Sequence, residues 1–283
     1  MKAGILVSCI LLLTLVFSLF STVVQANEYK VVNAEVNAED ILKHIENSDD
    51  VNLKNCSVVG ELNLSKIKLK TVYITDLHMS TSNISIEDSK FENKLDFSNV
   101  QFNNTVSFKR TFFKDSADFS YMNFNNSADF SYTNFNDSAD FQDVDFFNSA
   151  NFHDANFNND VNFIDARFWN EADFRNAYFN SSVYFNYASF NNSSFSMTTF
   201  TNDSDFNQTD FINSTDFRDA KFNKNANFID ANFNKDANFS GVIVNGSANF
   251  DGAMINDNSN FIGLDNPDKI KLTTNNSQLL NTK

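Results

Sequence analysis

Phenylalanine recurs along this chain at two alternating intervals. From Phe97 through Phe102, Phe108, Phe113, Phe119 and Phe124 to Phe190, the rings are spaced five and six residues apart without a miss. Phe195 and Phe200 then arrive one residue early. From Phe206 to Phe239 the alternation resumes, and Val244, Phe250, Ile255 and Phe261 carry it on. The residue two before each ring is nearly always small or β-branched, as at Ala117, Ala128, Ala139, Val161 and Ala226, with a polar residue, usually Asp or Asn, between them. Such a triplet is a three-residue strand whose first and third side chains share one face. A helix does not fit. At about 100° per residue, steps of five and six turn by about 140° and 240° and scatter the rings over separate faces. Asn, Asp, Ser and Phe are also indifferent helix formers.

Two polar residues after each triplet turn a corner, with one extra residue at every second corner. Asn, Asp and Ser accept turn and left-handed conformations, so a chain with 34 Phe but only 6 Gly and 1 Pro can still turn every five residues. Each Phe is then expected to lie over the Phe of the previous coil. Burying one ring is worth about 2–3 kcal/mol before chain ordering is counted, so cohesion is spread over the stack.

The units Ala128-Asp129-Phe130-Ser131-Tyr132, Ala139-Asp140-Phe141-Gln142-Asp143, Ala150-Asn151-Phe152-His153-Asp154 and Ala226-Asn227-Phe228-Ile229-Asp230 resemble the pentapeptide-repeat family over residues 84–263. The resemblance implies an all-β fold, a right-handed quadrilateral β-helix with four units per coil and the central Phe and the small residue inside. The sixth residue at alternate corners departs from that pattern. It predicts coils of about 22 residues that bulge at two opposite corners, with about eight coils between Phe91 and Phe261. The β-helix proper is assigned to residues 91–263.

Residues 51–90 read as degenerate first coils with Val51, Leu53, Val58, Leu62, Leu64, Ile67, Leu69, Val72, Ile74, Leu77, Ile84 and Ile86 inside. Residues 27–50 read as a cap. There Asn37 can open a short helix over 38–46 whose apolar side is Ile41, Leu42 and Ile45, laid across an otherwise open sheet edge. Residues 264–283 leave the pattern at Pro267 as either a loose cap or a disordered tail.

At the N-terminus, Lys2, an uncharged and mostly apolar run over 3–24 and Ala26 before Asn27 have the layout of a secretory signal peptide over residues 1–26. An uncleaved membrane anchor is the rival reading, because about 20 apolar residues also span a bilayer. Leu6-Val7-Ser8-Cys9 has a lipobox-like look but too little apolar sequence before it.

The formal charge of −15 argues against a phosphate-tracking nucleic-acid binder, which needs a stripe of Lys and Arg. With only Cys9 and Cys56, no disulfide framework holds the mature chain, and Cys56 reads as a buried small residue. His44, His78 and His153 form no metal-ligand spacing. Asp118 and Asp140 are expected to stack one coil apart, a place for weak cation binding or a solvated polar face, and Asn151 and Asn162 break the acidic run. Trp169, Tyr178, Tyr184 and Tyr187 are outward aromatics within about one coil. They are the candidate binding residues, as exposed aromatic clusters often mark binding surfaces, including platforms for sugar rings. Asn-x-Ser/Thr sequons such as Asn125, Asn180 and Asn245 offer glycosylation sites on an exported chain.

These features point to an exported, non-enzymatic structural or interaction solenoid that needs no cofactor and meets a protein or polysaccharide at the cell surface. Contact with membrane is expected only through an uncleaved N-terminal segment. The alternative is a DNA mimic acting on a DNA-handling enzyme such as gyrase, as some members of the family it resembles do. A polysaccharide lyase on a β-helix would need a groove with clustered acids, bases or calcium ligands, which coils this uniform do not offer.

Overall fold

Every phenylalanine of the five–six register, from Phe91 to Phe261, is buried, and with the small residues two positions before them these rings form one continuous core. The structure, a computed structural model, describes residues 26–71, 77–256 and 258–272. The predicted signal segment up to residue 25, the inward positions of Val72 and Ile74, and the tail from residue 273 lie outside the described residues.

The chain winds as a four-sided parallel β-solenoid of about eleven turns. A representative coil runs from Ala128–Asp129 on the first face to Asn134–Phe135 on the second, Ala139–Asp140 on the third and Asp145–Phe146 on the fourth. Most strands pair in register with the strand 22 residues on, as Ala128 with Ala150 and Phe135 with Phe157. The second and third faces are separate ten-stranded sheets.

Strand spacing stacks the rings within a column. Phe113 and Phe135 lie 4.8 Å apart and 3° from parallel, and Phe152 and Phe174 lie 4.8 Å apart and 2° from parallel. Rings of adjacent faces meet edge to face instead, as Phe119 and Phe130 do at 5.2 Å and 79°. Both geometries suit the ring quadrupole.

The two corner types differ in backbone. At the five-residue corner after Phe130, the Thr133 amide donates to the Phe130 carbonyl, and Tyr132 takes a left-handed φ of 58°. The same position is left-handed in every coil, whether it holds Arg110, Tyr121, Asp143, Met197 or Gly241. Among the described residues, six-residue corners use no left-handed residue. The extra residue gives enough chain to turn without one. Ahead of most five-residue corners the polar residue inside the triplet also has a backbone task. Asp129 Oδ1 accepts the Ser131 amide at 2.9 Å and Asn162 Oδ1 accepts that of Ile164 at 2.9 Å, closing the five-residue corners after Phe130 and Phe163.

At the N-terminal end, strands Glu28–Val32 and Glu35–Asn37 pair in parallel with Asp50–Lys54 and Ser57–Val59, so coiling begins inside the segment read from sequence as a cap. Helix α1 (Ala38–Glu46) takes the place of the third and fourth faces in this first coil. Asn37 Oδ1 accepts the Glu39 amide at 3.0 Å, and Ala38, Ile41, Leu42 and Ile45 are buried.

The early coils are interrupted rather than merely degenerate. Val51 pairs with Ile84, 33 residues on, because the chain leaves the coil after Leu64 and returns through an antiparallel pairing of Lys70–Thr71 with His78–Ser80. Beyond Pro267 the chain does not leave the solenoid at once. Ile270–Leu272 adds a rung to the third face, with Ile270 beside Ala248 and Leu272 beside Phe250.

Candidate functional site

One coil breaks the 22-residue rule. Between Phe190 and Phe195 a six-residue corner has lost a residue, and neither Asn191 nor Asn192 turns left-handed to make up for it. Instead Ser189–Ser194 runs straight through the corner as one strand, paired with Arg167–Asp173. These two strands join the first and fourth faces into a single sheet. Because Phe168 pairs with Phe190 and Glu171 with Asn192, the two residues Trp169 and Asn170 stand opposite Asn191 alone. This is a β-bulge, a device that re-aims a side chain. The chain's only tryptophan sits on it.

The indole is held in place although it is 54% exposed. Its Nε1–H donates to Asp145 Oδ1 at 2.9 Å. Asp145, nearly buried, also receives the Arg167 guanidinium through Nε at 2.6 Å and Nη2 at 2.9 Å. That hydrogen-bonded pairing raises the Arg167 pKa above its ordinary value. One face of the indole stacks on Phe147, the exposed residue one coil earlier, at 6.0 Å and 5°. The register continues this column with Asn191 and the exposed Ile212. Trp169, Ile212, Arg167, Phe168, Ser189 and Asn191 enclose an open slot of about 280 Å³. Beside it lies a larger polar groove of about 540 Å³, whose lining includes Asn170, Glu171, Asn192, Thr215, Asp216 and Arg218. The Arg218 guanidinium is engaged by Asp216 at 2.6 Å.

The four aromatic residues singled out from sequence do not share one surface. Trp169 lies at the corner between the fourth and first faces, Tyr178 on the second face and Tyr184 on the third. Tyr187 is the left-handed residue, φ 61°, of the five-residue corner after Phe185. No ring contact joins any two of them among the described residues. Trp169 gathers instead Phe147, Asp145, Arg167, Asn191 and Ile212, none of which the sequence reading selected. Counting one coil back and two coils on from Trp169 would have found Phe147 and Ile212.

The acidic column on the third face is present, with Asp96, Asp118 and Asp140 in register. Its carboxylates are engaged by backbone. Asp118 Oδ1 accepts the amide and hydroxyl of Ser120 at 3.0 and 2.7 Å, and Asp140 Oδ1 accepts the Gln142 amide at 3.0 Å. Burial pushes the Asp140 pKa up and the Asp118 charge adds to it, against the Gln142 amide. The described residues hold no group of three His, Cys, Asp or Glu side chains placed for a metal. His44 meets Asp49 at 2.8 Å and stacks on Tyr29, His153 meets Asp154 at 2.9 Å, and Cys56 is buried.

Comparison with known proteins adds one finding. A family model described as pentapeptide repeats (nine copies) matches in three overlapping stretches, residues 146–189, 185–231 and 217–263. No curated protein matches the chain.

Proposed function

We propose that this chain, whose solenoid belongs to the pentapeptide-repeat family, is exported and works without catalysis as a binding or adhesion element at the cell surface. The observation that carries this reading is the Trp169 bulge. Here a stack that is regular in period from Phe97 onward departs from that period once and presents a fixed aromatic ring to solvent. Exposed aromatics backed by rigid strands are a common basis of recognition, because little side-chain entropy is lost on binding. Stacked coils supply that rigidity.

Export rests on the sequence of residues 1–26, where a basic start, an apolar run and Ala26 precede the first strand at Glu28 by one residue. The mature chain would then start at Asn27, immediately ahead of its first coil. An acidic, Phe-cored rod repels its own copies, which suits display at high local density.

Expressing the full chain with a C-terminal tag, fractionating the cells and sequencing the N-terminus of the product tests the proposal. The expected result is a surface or medium fraction beginning at Asn27 that is retained by cell-wall polysaccharide or intact cells. Retention of the whole chain in the cytoplasm overturns it.

A further inference from the structure

We infer that the slot between Trp169 and Ile212 is a carbohydrate subsite that takes one sugar ring of a neutral oligosaccharide. The inference deepens the binding role proposed above and rests on it. In the exposed column Phe147, Trp169, Asn191, Ile212, the third rung carries a short carboxamide between two large apolar side chains. Two rungs of about 4.8 Å separate Trp169 from Ile212. A ring inserted at the middle rung lies about 4.8 Å from each wall, the distance at which Phe152 and Phe174 stack in the interior. The column is thus a stack with one layer missing, and the missing layer is ring-sized.

The surroundings choose the kind of ring. The indole Nε1–H is occupied by Asp145 and one indole face by Phe147, so what Trp169 offers is its other face, a platform for the C–H face of a pyranose. Asn191 forms the floor, its Nδ2 donating to the Trp169 carbonyl at 3.1 Å and its Oδ1 accepting from Asn213 at 2.6 Å. That leaves its second amide hydrogen for a hydroxyl group. Ser189 on the floor and Asn170 on the adjoining groove add neutral donors and acceptors around the rim.

The charges exclude anionic competitors. Arg167 is neutralised by Asp145 and Arg218 by Asp216, while Glu171 and Asp236 also border the adjoining groove, so phosphate and uronate groups are repelled. The slot's own walls, Trp169, Phe168 and Ile212, are apolar, so an aromatic side chain of a protein partner is the competitor that the experiment below separates from a sugar.

Trp169 is the chain's sole tryptophan, so intrinsic fluorescence reads this slot directly. The purified protein is titrated with cello-, malto-, manno- and chitohexaose, with hexagalacturonate as the anionic comparison and a phenylalanine-containing peptide as the aromatic one. The expected result is a saturable emission change with at least one neutral hexaose and none with hexagalacturonate. Asn191→Phe, which fills the missing rung, weakens that binding at least tenfold by calorimetry, and Ile212→Ala weakens it severalfold. Circular dichroism establishes that both variants remain folded.

Silence of the tryptophan towards all four neutral hexaoses overturns the subsite. So does neutral-glycan binding that Asn191→Phe leaves unchanged, although that result leaves the broader surface-binding role standing. A larger response to hexagalacturonate, or to an aromatic peptide, also overturns it.

Discussion

Phe152 lies between two parallel copies of itself, 5.0 Å from Phe130 and 4.8 Å from Phe174, and touches nothing but core. Phe261 has the same chemistry at the end of its column, with Phe239 stacked on one side at 4.8 Å. In a solenoid, stability is close to a sum of rungs and nearest-neighbour interfaces, so a ring's position should set its worth. Phe152→Ala is expected to cost about 3–5 kcal/mol by cavity formation. Phe261→Ala should cost less than half as much. Urea denaturation of both variants checks this, and equal losses would mean that the coils do not act as local units.

The Asp129 carboxylate serves the chain rather than a ligand, since it closes the corner through the Ser131 amide. Asp129→Ala removes that acceptor and should lose about 1 kcal/mol, whereas Asp129→Asn, which keeps Oδ1, should be nearly neutral. Asn151 and Asn162 already fill the equivalent place in other coils. If the Asn variant loses as much as the Ala variant, the charge matters and the corner bond does not.

Much of this fold is legible in the sequence because period and side-chain volume coincide. A Phe at a fixed step, with Ala or Val two before it, leaves one inside and one outside, and the register follows. The helix start at Asn37 is legible for an equally local reason, the carboxamide that takes up the Glu39 amide. The strand Ile270–Leu272 was missed because Pro267 breaks the pattern just before it, yet 22 residues separate Ala248 from Ile270. Local composition hid what the long period held. The candidate site was legible only at Trp169. That one missing residue before Phe195 makes a bulge at Trp169 depends on whether the chain re-forms a turn or straightens into strand, which spacing alone does not decide.

Met197 is 55% exposed and held at a φ of 59°, where an L side chain crowds its own backbone. Gly241 and Gly263 occupy the equivalent corner two and three coils later. Met197→Gly should therefore raise stability, by about 0.5–1 kcal/mol once the greater freedom of glycine in the unfolded chain is counted. A lower denaturation midpoint would show that the Met197 side chain makes more favourable surface contacts than the strain it causes.

Ser204 stands on the third face at an inward position that holds Val183 one coil before and Ala226 one coil after, and its buried hydroxyl has no hydrogen-bond partner. Removing an unsatisfied buried group gains back its desolvation cost, so Ser204→Ala should stabilise by about 1 kcal/mol. Unchanged or reduced thermal stability would indicate that the hydroxyl is satisfied in solution.

Asp140 gives a pH dependence opposite to that of a salt-bridged carboxylate. Burial raises its pKa above the ordinary 3.8, and the Asp118 charge in the rung before adds to this. The folded state therefore binds the proton more tightly than the unfolded chain does. Its charged form costs stability fully above the folded pKa, and that cost fades as pH falls through it towards 3.8. Asp140→Asn removes the charge while keeping an oxygen for the Gln142 amide, as Asn162 does for Ile164 in the next coil. The variant should be more stable than the parent at pH 7, with the gap closing as the pH approaches about 4. Urea midpoints measured for both proteins across that range decide the matter, and an Asn variant less stable at pH 7 would mean that the carboxylate is favourable where it stands.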